Sequence, residues 1–263
     1  MNYLYLYCFT CLKELNLSDI LNIPGLDRDY NIEVISLGGL GAVISPVKEK
    51  EFNQEAFQEK IKNLEWLQEK VLAHQGVTGL VMEKATVLPV KFGNVFCSEK
   101  NIINYMKEEY NRISSKLSFL KGKTEAGIKL YSDRERLRKT IMEHDDELVK
   151  LIKEIEHKSK GQKFLLQKRI EKNLIQKIEN SSNQTAQLFH NHLSKIAVKA
   201  SLNKLFNREI TGKKEDMVLN GAYLLEMDRI NEFKKNIEDL EKEYNSYGFY
   251  AEFSGPWPPY NFT

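Results

Sequence analysis

Between positions 137 and 200 apolar residues return every three or four places, with no proline and only one glycine, Gly161, among them. Leu137, Ile141, Leu148, Leu151 and Ile155 form one such stripe; Phe164, Ile170, Leu174, Ile178, Phe189, Leu193, Ile196 and Ala200 form a second. Helical spacing lays each stripe along one side of a helix and leaves a heavily charged side for water. Unbroken, the second stripe spans on the order of 55 Å at about 1.5 Å per residue. Gly161 is expected to interrupt the helical tract, and Asn180, Ser181, Ser182 and Asn183, poor helix formers, are expected to bend or break it.

What flanks this tract is strand-like. Alternation through residues 128–131 ends at Ser132-Asp133-Arg134-Glu135, which has the form of a capping box. Behind the tract come two apolar runs, 202–206 and 217–225, separated by a polar turn at 211–215. A helix with Ile230, Phe233, Ile237, Leu240 and Tyr244 on one side follows, then a strand at 249–253. The order β-α-α-α-β-β-α-β is ferredoxin-like with its first crossover helix expanded. Ahead of it, residues 2–9 read as a strand, and 32–37 and 42–47 as a hairpin around Gly38-Gly39-Leu40-Gly41. Phe57, Ile61, Leu64, Leu67 and Val71 mark a helix that His74 terminates, followed by a loop at Gly76–Gly79. Residues 86–92 are strand-like, with Pro89 pointing to an edge, and Ile103, Met106, Tyr110, Ile113, Leu117 and Leu120 share one helix face.

A chain of 263 residues is long for one core. The expected organisation is α+β in two domains: an N-terminal domain over 1–117, and a ferredoxin-like domain over 118–254 whose helical extension covers about 137–200. An aromatic and proline tail, 255–263, is expected to pack at the domain junction. The 39 Lys and Arg against 37 Asp and Glu leave a net charge of +2, so no global field favours nucleic acid or an anionic membrane. No apolar run approaches the roughly 20 residues that cross a bilayer, and the first residues lack the basic start of a signal peptide. Three cysteines make no disulfide framework, which fits a reducing cytoplasm.

Chemical motifs are sparse. Cys8-Phe9-Thr10-Cys11 has redox spacing, but strand alternation puts the thiols on opposite faces, so two small buried hydrophobes is the better account. His190 and His192 are two apart on a helix and share no face, and Asp145-Asp146-Glu147 lacks the glycine of a calcium loop; both read as solvated helix surface. His74 suits a helix C-terminus. Gly39 and Gly41 begin a dinucleotide fingerprint that Ile44 breaks, and no RNA-binding aromatic signature lies on the central strands. Lys158, Lys160, Lys168 and Arg169 are balanced by Glu154, Glu156 and Glu171. A thiol-redox protein using Cys8 and Cys11, or a nucleic-acid-binding ferredoxin-like protein, are the competing readings.

Residues 87–96, Val-Leu-Pro-Val-Lys-Phe-Gly-Asn-Val-Phe, resemble the LP-(L/V)-(R/K)-FG segment of the gas vesicle protein family GvpF/GvpL. Further resemblance lies in residues 42–47, in Trp66 with His74 eight residues on, in residues 122–129, and in Gly255-Pro256-Trp257-Pro258-Pro259-Tyr260, with Phe262. The residues carrying the match are Trp66, His74, Pro89, Lys91, Phe92, Gly93, Gly122, Glu125, Lys129, and the tail from Gly255 to Tyr260. Lys91 stands where arginine is usual and Ala126 where tryptophan is expected, which loses a planar fork and a large anchor. The F type is the closer by eye. The resemblance implies a cytoplasmic accessory or minor structural component of gas vesicles, with no enzymatic activity and no cofactor. It also implies that the partners are the small hydrophobic shell protein and other accessory proteins, not nucleic acid or a lipid membrane.

The stripes generate a first test. Hydrogen exchange should show lasting amide protection through most of 137–200; exchange without protection there would contradict a stable helical region.

Overall fold

A computed structural model describes residues 2–155 and 158–263. The chain forms two compact units, Met1–Glu125 with Pro256–Thr263, and Ala126–Gly255. The expected mixed α+β class is what the chain adopts.

In the first unit β1 (Asn2–Cys11), β2 (Glu33–Leu37) and β3 (Leu40–Lys48) precede three helices, α1 (Glu49–Phe52), α2 (Gln54–Lys60) and α3 (Leu64–Met82). Short strands β4 (Val87–Pro89) and β5 (Val95–Phe96) lead to α4 (Glu99–Glu108) and α5 (Tyr110–Leu120). The sheet order is β2-β3-β1-β4, with β5 also on β1. Central β1 is buried from Tyr5 to Thr10, which is why it reads as a continuous apolar run instead of an alternating one. Its register on β3 slips between Leu6 and Cys8, so Tyr5, Tyr7 and Cys8 all reach the same core. Gly38, at φ +59°, turns β2 into β3; a Cβ there would also meet the Tyr110 hydroxyl at 3.0 Å. Pro89 sits on an edge strand, where its missing donor costs no ladder bond.

Two expectations fail in α3. The helix runs through Gly76 and Gly79 without a loop, and His74 lies in its middle, not at its end. The buried face is His74, Val77, Thr78 and Val81, while Leu64 is 77% exposed. Packing of that face outweighs the roughly 1 kcal/mol that each helical glycine costs. The next expected helix is two, parted at Glu109, with Ile102 fully buried in place of Ile103.

In the second unit β6 (Lys123–Ser132), which begins in the first, is followed by α6 (Arg134–His144), α7 (Asp146–Ile155) and α8 (Lys160–Ser194). Then come β7 (Lys199–Leu202), α9 (Arg208–Thr211), β8 (Asp216–Glu226), α10 (Ile230–Tyr244) and β9 (Phe249–Trp257). The sheet order β7-β8-β6-β9 is the 4-1-3-2 arrangement of a ferredoxin-like unit read from the other edge.

Local signals here were partly misread. Asp133, not Ser132, caps α6, accepting from the Glu135 and Arg136 amides at 3.0 and 3.1 Å. Asp145 is not helix surface: it accepts from the Leu148 amide at 3.0 Å and pairs with Lys177 at 2.7 Å, separating α6 from α7 and tying both to α8. Gly161 falls in the first turn of α8, whose cap is Ser159. No break occurs at 180–183; the 35 residues of α8 are continuous because Ile178, Thr185, Ala186 and Phe189 stay buried on either side. The run 202–206 is mostly beyond the strand and exposed. The last strand continues through Pro256 to Trp257, which an edge position permits. Glu156, expected to balance nearby lysines, lies outside the described residues.

Because α8 is continuous, Asn183→Ala, on its exposed side, should raise stability by about 0.5 kcal/mol in urea unfolding. Phe189→Ala removes a fully buried ring packed edge-on to Tyr244 at 5.7 Å and should cost about 3–5 kcal/mol. Destabilisation by the first or a neutral result for the second would contradict the packing of α8.

Candidate functional site

Helix α3 starts at Asn63, whose side chain accepts from the Trp66 amide at 3.0 Å. Spacing by four then places Trp66, Lys70, His74 and Thr78 along one side. Trp66 packs among Phe52 and Phe57, with ring centroids at 5.7 and 6.1 Å, and Lys70 donates to the Leu26 carbonyl at 3.1 Å. Thr78 donates to the His74 carbonyl at 2.9 Å.

His74, 1% exposed, makes a bond from each ring nitrogen. Nε2 lies 3.1 Å from the Val90 carbonyl and must donate there. Nδ1 therefore accepts, and its partner is the Tyr5 hydroxyl at 3.0 Å. The same Tyr5 oxygen accepts from the Gly93 amide at 3.0 Å. Burial pushes the imidazole down to about 4, against the opposing pull of the Val90 carbonyl, so the ring is neutral near pH 7 and the tautomer is fixed by its partners. Burial likewise pushes the Tyr5 phenol far up and that of Tyr7 up to about 12. Tyr7 shares a 2.7 Å bond with Ser45 and accepts from the Leu26 amide at 2.6 Å.

These bonds fix the 87–96 segment. Cys8 pairs with Pro89, the Val90 amide donates to Tyr7 at 3.1 Å, and Gly93 takes φ +95°, with Phe57 3.0 Å from where a Cβ would be. Phe92 and Phe96 are half-buried, not fully in the core, and Lys91 points to solvent. Phe92 touches Tyr5, Phe57 and His74 at centroid distances of 5.9 to 6.0 Å.

The tail joins the same unit. Pro258, Pro259 and Phe262 are buried, Tyr260 stands 5.9 Å from the His74 ring, and Trp257 is 48% exposed. Thr124 donates to the Trp257 carbonyl at 3.0 Å. Glu125, 7% exposed, accepts twice from Asn261, at 2.8 Å from the amide and 2.6 Å from the side chain. Burial raises this carboxyl above its ordinary value despite those bonds. Burial also raises the Tyr260 phenol to about 12.

The structure thus gathers Trp66, His74, Pro89, Phe92, Gly93, Glu125, Pro258, Pro259 and Tyr260 into one unit, where Trp66, Phe92, Gly93 and Tyr260 are half-buried and the rest buried. Gly122 is exposed at φ +70° in the turn before β6, and Gly255 takes φ +120° in β9. Lys129, half-buried on β6, belongs to the second unit. Tyr5 and Asn261 complete the site and were missed; each lay in a stretch already singled out, but neither residue type advertises a buried bond.

Tyr5, His74, Val90 and Gly93 satisfy one another, whereas the buried Trp66 indole N–H and Tyr260 hydroxyl have no hydrogen-bond partner among the described residues. Cys8 is fully buried and its thiol pushed far up by burial, while Cys11 lines a cavity of about 260 Å³ with Glu14, Tyr110 and Lys121. That geometry does not serve a dithiol pair. His190 is half-buried and bonds the buried Tyr223 hydroxyl at 3.0 Å, whereas His192 is exposed, as expected, and meets Asn236 at 2.8 Å. Among the described residues no group of three His, Cys, Asp or Glu could hold a metal ion, and no helix is long and apolar enough to cross a membrane.

The depressed His74 fixes a pH dependence. An imidazole at about 4 when folded and 6.5 when unfolded contributes stability that is whole above pH 6.5 and is lost as pH falls toward 4. The difference amounts to about 3 kcal/mol. Glu125, raised when folded, acts with the opposite sign: its contribution is whole below the unfolded value and lost as pH rises through the folded one. The His74 ring resonance in NMR should titrate with a midpoint near 4; a midpoint near 6.5 would refute the buried neutral ring.

The family model described as gas vesicle synthesis protein GvpL/GvpF matches residues 3–263. Gas vesicle protein F1 of Halobacterium salinarum is 24% identical over 260 residues, covering 99% of this chain and 92% of that one. Gas vesicle protein L1 of the same organism is also 24% identical, covering 98% and 89%, so identity does not separate F from L. The crystal structure of the gas vesicle protein GvpF from Anabaena sp. PCC7120 superposes with a TM-score of 0.74 at 18% identity, covering 100% of this chain and 98% of that one. GvpF from Microcystis aeruginosa gives 0.67 at 19%, covering 99% and 98%. The fold is shared throughout, and the chain belongs to the GvpL/GvpF family of gas vesicle synthesis proteins.

Proposed function

We propose that this protein is a cytoplasmic, non-enzymatic component of gas vesicle assembly that binds the small hydrophobic shell protein and other accessory proteins. The observation that carries this reading is the family match running from residue 3 to residue 263. Physical chemistry supports it. A shell subunit that polymerises through apolar surface is an aggregation hazard while soluble, and a folded partner offering a strand edge or a helix face would keep it from self-pairing. The interior fits a scaffold: Tyr5, His74, Val90 and Gly93 bond one another, and the turn they fix presents Lys91 outward.

The test uses purified full-length chain mixed with shell subunit. Light scattering from the subunit should be suppressed in proportion to added chain, and pull-down should recover both. Lys91→Glu should leave the unfolding midpoint within about 0.5 kcal/mol of the parent and weaken capture several-fold. Absence of association would remove the holding role; unchanged capture by the Lys91 variant would remove that residue from the contact surface.

A further inference from the structure

Strand β7 ends the second unit's sheet, with β8 on one side and, among the described residues, no further strand on the other. Lys199 lies opposite Leu224 and Ser201 opposite Ala222, and the Asn203 amide donates to Asn220 at 2.7 Å. In an antiparallel pair, facing and outward main-chain groups alternate. The N–H and C=O of Ala200 and Leu202 therefore point to the open edge. An edge of this kind is a template for another strand.

The side chains around it are apolar and uncovered. Val198, Leu202, Leu205, Phe206 and Ile210 are 45%, 56%, 48%, 39% and 68% exposed, five exposed large hydrophobics within 13 residues of sequence. Single exposed apolar residues are ordinary, whereas a cluster marks a contact surface. The run also misled the sequence reading, which took 202–206 for a sheet strand; its apolar residues face solvent instead. Cations flank the row. Arg208 is committed to Asp216 at 2.7 Å, but Lys195, Lys199 and Lys204 are exposed and hold no ion pair among the described residues.

We propose that the open edge of β7, with Leu202, Leu205 and Phe206 beside it, docks an extended segment of a partner protein that is apolar at alternate positions and acidic at its ends. Each part of that description answers a feature of the surface. Unpaired main-chain groups select a strand over a helix or a lipid surface, because only an extended backbone returns donors and acceptors at the same repeat. One apolar face of such a segment matches the exposed Leu202, Leu205 and Phe206, and carboxylates match the lysines without ion pairs. Lys199 opens β7 and Lys204 lies two residues past its end; five extended residues span roughly 17 Å, which sets the separation of the acidic ends. The surface needs nothing from the vesicle role proposed above, and its test involves no shell protein.

The probe is a fluorescein-labelled peptide alternating valine and threonine with two glutamates at each end, titrated with full-length chain by fluorescence anisotropy. A counterpart with lysines at the ends is the control. The acidic peptide should bind at least tenfold tighter than the basic one, and the preference should weaken with salt. Lys199→Glu with Lys204→Glu should reverse the preference, and Leu202→Asp should lose binding tenfold or more. Both are surface changes, with circular dichroism and thermal unfolding reporting that the fold is kept. Equal affinity for the two peptides, or binding indifferent to both variants, would overturn the proposal. So would binding to phosphatidylserine vesicles without binding to the peptide, or a dimer in sedimentation that Leu202→Asp abolishes.

Discussion

A neutral imidazole has one donor and one acceptor, and in the first unit both are spent on holding the same stretch of backbone. His74 donates to Val90 and accepts from Tyr5, which in turn accepts from Gly93. A helix and a strand distant in sequence thereby fix the two ends of one turn. The rings of Tyr5, Tyr7, Phe92 and Tyr260, with centroids 5.6 to 6.0 Å away, exclude the water that would compete. If the ring were protonated, both nitrogens would donate. Tyr5 could then accept only by turning its own hydrogen away, and a buried donor without a partner costs about 1–3 kcal/mol. The arrangement is therefore consistent only with burial, neutrality and the three bonds together.

The second unit answers a constraint of length. The 35 residues of α8 extend about 52 Å at 1.5 Å each, while the 11 residues of β8 cover about 37 Å at 3.4 Å each. The helix outruns the sheet, and its surplus is covered by α6 and α7. Leu137 and Leu148 share a core cluster with Ile170, Leu174 and Ile178, and Arg138 meets Glu171 through two bonds of 2.9 Å. Toward the other end Phe189 and His190 turn to Tyr244 and Tyr223. One continuous apolar stripe thus serves two successive partners, which is how a ferredoxin-like crossover can be enlarged without a second core.

Element order was legible because it rests on periodicity. The change from period two to period four at Asp133, the hairpin at Gly38 and the closing strand at Phe249 all follow from local pattern. What failed depended on contacts distant in sequence. Gly76, Gly79 and residues 180–183 look like breaks to any propensity argument, yet the helices through them are fixed by faces buried elsewhere. Asp145 reads as one more acid in a charged run until Lys177 is placed beside it. The site was half legible. Gly93 and Pro89 announce a special backbone, but that His74 takes the Tyr5 hydroxyl is a contact between residues 69 apart that no local signal marks.

The bonds that hold His74 in the interior also define the surface above it. Around Lys91 five backbone groups are committed: the Val90 amide to Tyr7 and its carbonyl to His74, the Lys91 carbonyl to the Asn94 side chain at 2.6 Å, the Gly93 amide to Tyr5, and the Asn94 carbonyl to the Leu6 amide at 2.9 Å. The turn is fixed before any partner arrives, so docking on it orders one side chain instead of a loop, and binding loses little to backbone entropy. On such a platform the identity of the residue sets what is recognised. An arginine would offer a planar fork that fits a carboxylate in one orientation, whereas Lys91 offers a point charge on a flexible stem that accepts an oxygen from many directions. A carboxylate meeting this turn would therefore be selected by charge and proximity more than by angle.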